Sequence, residues 1–354
     1  MRMGGRQGSP NAGAQMNRNM CNSTDMPYED SRHLLVVVYS IVFIVGIPTN
    51  CLTALLTLIQ IGKGTITAIY LFGLSLCELM YLSTIPLWII YVQNDHKWTM
   101  GTLSCKVTGY IFFCNIYISI LLLCCVSVDR YVAVVYALES RGIRRQRIAA
   151  VVTVALFGTV AVIYCPVFFR DDIQDLNSTT CYETPLNSHL VYYNITRFLV
   201  GFLIPFALLL FMNYKIFQSI KSSCSLSPSQ KAKVKYLAIA IISIFVVCFA
   251  PHHFVLLVKS VLFFLYPDEM CRFERDIYTT SVVFLCFSTA NSVADPFIYV
   301  LVSENAQREI DRIFRACGIE LSVSSNEDSS KINNSQRSPK ETRETWILGN
   351  KEDR

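Results

Sequence analysis

Residues 107–131, VTGYIFFCNIYISILLLCCVSVDRY, decide the fold. No charged side chain interrupts the run until Asp129-Arg130-Tyr131 closes it. A helix needs about 20 apolar residues to cross a hydrocarbon core, and this stretch is long enough. Six more of the same kind flank it. The seven run roughly 34–61, 66–92, 103–135, 147–169, 190–220, 232–265 and 276–302. The composition agrees: 53% of the 354 residues are hydrophobic and 16% charged, against about 25% charged in a soluble domain. The chain reads as an all-α membrane protein, a seven-transmembrane helix bundle followed by a short amphipathic membrane-surface helix.

Charge sets the expected topology. Basic residues fall between spans one and two (Lys63), three and four (Arg141, Arg144, Arg145, Arg147), five and six (Lys215, Lys221, Lys231, Lys233, Lys235) and after span seven (Arg308, Arg312, Arg315). Acids such as Asp95, Asp171, Asp172, Asp175, Asp268, Glu269, Glu274 and Asp276 occupy the opposite loops. By the positive-inside rule the N-terminus is outside and the C-terminus inside, and the net charge of +5 calls for no nucleic-acid partner. The sequons at Asn22 and Asn177 fall in segments placed outside. A third, at Asn194, sits at the start of span five and is less reachable.

Four segments follow: an outer tail 1–33, the bundle 34–302, an amphipathic helix 303–317 and a disordered tail 318–354 rich in Ser, Asn, Lys and Glu. Residues 1–33 have no apolar run before a cleavage site, so the first span is expected to act as a signal anchor. In 304–317, Ile310, Ile313, Phe314 and Cys317 share one face and the arginines lie on the more polar one. That suits the inner leaflet, with Cys317 a palmitoylation candidate. Most cysteines lie within spans and act as small apolar residues. Cys21, Cys105, Cys181 and Cys271 are extracellular and allow three pairings. Cys105–Cys181 and Cys21–Cys271 are favoured, with free thiols the alternative.

Motifs on successive spans carry a resemblance: Gly46-Ile-Pro-Thr-Asn50, Trp98 and Gly101, Cys105, Asp129-Arg130-Tyr131, Pro205, Cys248-Phe249-Ala250-Pro251 and Asp295-Pro296-Phe297-Ile298-Tyr299. Over roughly 34–316 the chain resembles the rhodopsin-like G-protein-coupled receptors. Asp295, Phe249 and His253 make it similar to their proton-sensing and lysolipid-receptor subgroup. The runs from Cys105 to Tyr117 and from Val134 to Gly142 resemble a member regarded as responsive to oxidised free fatty acids and lysolipids. The resemblance implies heterotrimeric G proteins, receptor kinases and arrestin as partners, and no enzymatic activity. It departs at Glu78, where Asp is usual, at Asn213, where the span-five Tyr is usual, and in span four, which lacks its Trp.

The resemblance also assigns roles. Asp129 and Arg130 form an ion pair whose release frees the guanidinium as a cavity opens for a G-protein helix; the bland alternative is a charge snorkelling at a helix end. Pro205, Pro251 and Pro296 break backbone hydrogen bonds within spans and let the inner halves swing. Ile120, Pro205 and Phe245 make a packing switch, Phe249 is the lever, and Tyr299 moves inward.

The residues add readings of their own. Glu78 and Asp295 are intramembrane carboxylates, which are expensive and turn to the bundle interior. With Asn50, Ser119 and Asn291 they are expected to form one pocket, relieved by a sodium ion or a proton, or else a neutral structural pair. Arg197 and Lys259 bracket a cavity floored by Phe249. A cation over an aromatic cavity suits an amphiphile with an anionic head; snorkelling is the alternative. Tyr110, Phe113, Tyr117 and Tyr278 are candidate walls, with His253 facing the ligand by resemblance. His252, about 100° around the helix, is expected to face elsewhere, and His33, His96 and His189 to be solvated. No metal-ligand spacing appears, and no cofactor beyond sodium is expected. A proton-sensing receptor is the alternative function. A channel or transporter is a remote one, since no inverted repeat is visible.

Overall fold

The computed structural model describes residues 26–136, 139–142, 144–169, 180–183, 186–222 and 227–302. Seven helices are long and apolar enough to cross a membrane: Tyr28–Gly62, Thr67–Gln93, Thr102–Val135, Gln146–Phe169, Ser188–Ser222, Pro228–Leu265 and Met270–Val300. Spans one, six and seven begin earlier than their apolar runs, and in span six a side-chain cap fixes the start. Ser227 and Gln230 form a reciprocal capping box before Pro228, and Pro228 opens the helix where its missing N–H costs nothing. Cys21, Asn22, Asn177, Cys317, the helix 303–317 and the tail 318–354 lie outside the described residues.

Span three is the axis. Ile116, Ile118, Ile120, Leu122, Leu123 and Val126 are almost fully enclosed. The outer faces are apolar and open: Ile44, Val154, Val162 and Ile204 are each more than half exposed. In water that would be a liability; around a bundle it is the surface a lipid covers.

Four spans are irregular where the site lies. Span two is interrupted at Ser83–Thr84, before Pro86. Span five holds a π-helical turn over Leu199–Leu203, next to Pro205. Span six holds another over Phe245–Phe249, just before Pro251. Span seven breaks at Ala290, between Met270–Thr289 and Asn291–Val302. A proline lacks the donor its helix needs, and the wider π turn absorbs the mismatch.

At one end of the bundle Cys105 and Cys181 form a disulfide, the pairing favoured from the sequence. Cys271 is also disulfide-bonded. The opposite end carries Asp129 and Arg130.

Candidate functional site: a caged arginine, a buried acid pocket and a closed end

Arg197 does not snorkel. It is 8% exposed, on the helical stretch Ser188–Phe198 that precedes the π turn. Its Cζ lies 4.7 Å from the Phe113 ring centroid, 5.7 Å from Tyr117 and 5.6 Å from Tyr193. Its Nε donates to the Tyr117 hydroxyl at 2.8 Å. That hydroxyl stands 3.2 Å from His253 Nε2, and His253 Nδ1 stands 2.8 Å from the Phe249 carbonyl. The carbonyl only accepts, so Nδ1 carries the proton there and Nε2 accepts from tyrosine. A hydrogen-bonded chain thus runs from span five through span three to the lever in span six. Phe202 stacks on His253 at 4.9 Å, and Phe206 and Phe249 pack on Phe245 at 6.0 and 5.7 Å. Ile120, Phe245 and Phe249 are fully enclosed and Pro205 is buried beside them.

The cage depends on Gly201. A Cβ there would lie 2.4 Å from Tyr117 Cε1. The π turn offers tyrosine a surface that only glycine leaves open. The requirement was invisible in the sequence, where Gly201 is one small residue in an apolar run.

Several expectations need correction. His252 does not face away: it is buried, and its Nε2 lies 3.3 Å from Arg197 Nη2. Span six packs against span five as well as span three at this level, so adjacent histidines both point inward. Tyr110 turns to span four, donating to the Ala161 carbonyl at 3.0 Å. Tyr278 joins another cluster, donating to Glu183 Oε1 at 3.1 Å. Lys259 has Glu274 and Glu183 as acidic neighbours. Arg197, Phe113, Tyr117, His253 and Phe249 are therefore brought together; Tyr110 and Tyr278 are not, and Lys259 lies within electrostatic reach of His252 as well as of the two glutamates.

His96 is not solvated either. It is 2% exposed, 2.7 Å from Glu183 Oε1 through Nδ1, and stacked on Tyr28 at 4.4 Å. Asp95 and His96 both have positive φ, 50° and 56°. Two consecutive left-handed residues reverse the chain and turn the ring inward, at a conformational cost that its partners offset. His33 and His189 are exposed.

Deeper in the bundle, Glu78 Oε1 accepts from Ser119 at 2.7 Å and Asn291 Nδ2 at 2.8 Å, while Oε2 accepts from Ser292 at 2.5 Å. Asn50 Nδ2 donates to the Ser292 carbonyl at 2.7 Å. Ser292 completes a set that the sequence reading had left without it. Asp295 is 3% exposed, with Glu78 and Asn291 as polar neighbours, and among the described residues neither of its carboxylate oxygens has a partner at hydrogen-bond distance and angle. Asn50 Oδ1 and Asn291 Oδ1 are orphaned in the same way. Orphaned buried acceptors call for a positive guest. A small cation or a proton fits these unpartnered oxygens, and those of Asp295, Asn50 and Asn291 would hold it.

At the other end, Asp129 Oδ1 accepts from Arg144 Nε at 2.9 Å and Nη2 at 2.7 Å. Thr67 donates to Asp129 Oδ2 at 2.5 Å and accepts from Arg130 Nη2 at 2.7 Å. Arg144, a basic residue of the loop after span three, is thus a partner of Asp129 beyond the neighbouring Arg130. Tyr131 lies outside this cluster, its hydroxyl 3.4 Å from that of Tyr136. Tyr299 is buried, its hydroxyl accepting from Gln60 Nε2 at 3.1 Å. Between spans three, five and six there is a shallow crevice lined by Ser127, Arg130, Asn213 and Leu237. It is too small for a helix about 10 Å across, so among the described residues this end is closed.

A seven-helix bundle that buries one arginine among aromatic rings toward its disulfide end, and ties Asp129 to Arg144 at the other, is arranged as a membrane receptor is. The chain belongs to the rhodopsin family of seven-transmembrane receptors, whose family model matches residues 49–299. It is 51% identical over 311 residues to "Probable G-protein coupled receptor 132" of Homo sapiens, covering 87% of this chain and 80% of that relative. The mouse (Mus musculus) protein of the same name is 56% identical over 290 residues, covering 81% and 75%. "G-protein coupled receptor 68" of Homo sapiens is 34% identical over 287 residues, covering 80% and 77%. The protein is thus a multi-pass plasma-membrane receptor of the G-protein-coupled class and not an enzyme.

Proposed function

We propose that this receptor is activated by an amphiphile with an anionic head, an oxidised free fatty acid or a lysolipid-like molecule, bound from the disulfide end facing outside. One observation carries the reading. Arg197 is a buried guanidinium with no carboxylate partner among the described residues. Aromatic faces and a phenol compensate a buried cation only in part; a carboxylate completes the compensation. The amphiphile's tail then has Phe113, Tyr117 and Phe202 to lie against. The chain through Tyr117 and His253 hands the change to Phe249, and span six swings at Pro251. The Asp129–Arg130 end, facing the cytoplasm, opens for a heterotrimeric G protein. Arrestin and receptor kinases acting on the tail belong to the same proposal. A sodium ion or a proton at Asp295 supplies the positive charge that steadies the closed state.

A second reading, activation by protons, is favoured by a buried histidine set against a carboxylate, His96 Nδ1 lying 2.7 Å from Glu183 Oε1. One experiment separates the two: G-protein dissociation in cells, from mildly alkaline to mildly acidic medium, with and without an oxidised fatty acid. Arg197→Ala removes one partner of a desolvated charge pair and should cost about 2–4 kcal/mol, or about 30- to 1,000-fold in lipid potency. A response to acid alone that Arg197→Ala leaves intact would put the trigger with His96, Glu78 and Asp295 instead.

A further inference from the structure

A guanidinium is a rigid planar fork, and what it offers a ligand depends on how its plane is held. In Arg197, two of the three nitrogens are already assigned. Nε is spent on the Tyr117 hydroxyl at 2.8 Å, and Nη2 points to His252 Nε2 at 3.3 Å. Phe113 covers one face, 4.7 Å from Cζ. Among the described residues nothing accepts from Nη1. Arginine has no acceptor of its own, so His252 Nε2 must be unprotonated and accepting, with its proton on Nδ1. Tyr117 alone would leave the fork free to turn about the Nε contact. His252 supplies the second fixed point, and Nη1 is then directed by exclusion.

We infer that His252 is the positioning residue that aims Arg197 at an anionic head group, and so sets the receptor's preference for a free acid over its neutral ester. This rests on the reading of Arg197 as the anchor. The geometry explains why a second histidine, adjacent to His253, is enclosed on span six. His253 receives the chain from Tyr117, while His252 reaches across to span five and holds the anchor's other arm. A carboxylate seated on Nη1 is in this way reported to span six by two routes, one through each imidazole.

The test compares a monohydroxylated long-chain fatty acid with its methyl ester in the full-length receptor in cells, at matched surface expression. Wild type should prefer the acid. His252→Leu and His252→Phe, neither of which offers an acceptor, should each reduce that preference about tenfold, the worth of one hydrogen bond to a charged group. Ester potency should stay unchanged. His252→Gln, which restores a carbonyl acceptor, should recover most of the preference. Two loss variants keep the test open should one fail to reach the surface. If both retain the wild-type acid-to-ester ratio, or lose acid and ester potency equally, His252 only packs and the inference is overturned. A wild type that responds equally to acid and ester, or an Arg197→Ala variant that keeps the preference, overturns the anchor itself and the inference with it. Loss of the preference in Arg197→Ala but not in the His252 variants overturns the inference alone.

Discussion

Replacing Arg144 with alanine is expected to raise signalling in the absence of any ligand. Arg144 holds Asp129 through two hydrogen bonds, 2.9 and 2.7 Å, with the arginine side chain 27% exposed and the aspartate 5%. A fully exposed pair is worth about 0–1 kcal/mol, stranding a fully buried charge costs about 3–5 kcal/mol, and this half-buried pair lies between. Asp129 keeps the Thr67 hydroxyl, and water reaches the half of the contact that arginine occupied. About 1–2 kcal/mol is the resulting cost to the closed state, a factor of about 5–30 in the closed-to-open ratio. The effect is not masked by a second lock on span six, since Pro228–Leu265 contains no Asp or Glu. Basal G-protein dissociation, measured at matched surface expression, should rise by that factor from a low resting value. Arg144→Lys, which keeps the charge but not the fork, should fall between. Asp129→Asn should raise basal activity too, and adding Arg144→Ala to it should raise it no further, because both act on one contact. An Arg144→Ala receptor as quiet as wild type beside an active Asp129→Asn would refute the reasoning.

Two further outcomes follow from close contacts and orphaned atoms. Gly201→Ala should push Tyr117 off the π turn and lower lipid potency about tenfold, the consequence of overpacking by about 1–3 kcal/mol; concentration–response curves at equal surface expression measure it, and an unchanged curve would mean that Tyr117 has room to move. The purified receptor should unfold at a higher temperature in sodium than in choline salt of equal ionic strength, and Asp295→Asn should abolish the difference. A wild type insensitive to sodium would leave the proton as the guest of the pocket.

What the sequence made legible is what a lipid solvent forces. Spans are legible because unsatisfied backbone in hydrocarbon costs several kcal/mol per group, so long apolar runs must be helices. Glu78, Ser119, Asn291 and Asn50 could be grouped because intramembrane polar side chains have few partners available at one depth. Other contacts depend on geometry that no periodicity records. His252 looked outward on a wheel that took span six as touching one neighbour. His96 needed two left-handed residues in a short loop to turn inward, and Arg144 needed a loop to fold back under span three. Tyr110, Tyr117 and Tyr278 are equivalent in composition, and only the packing of spans three, four and seven sorted them.

The π turn in span five makes chain length itself a variable of recognition. A π turn holds one residue more than the α-helical turn it replaces, which offsets everything beyond it by about 100°. Arg197 stands on the far side of that offset from Pro205. Deleting a single residue from Leu199–Leu203 would leave every site side chain in the sequence, yet turn the guanidinium from the cage toward lipid. Divergence of ligand choice among related receptors can therefore proceed by insertion or loss of one residue in an apolar run. A comparison scored by substitutions alone would pass over such a change.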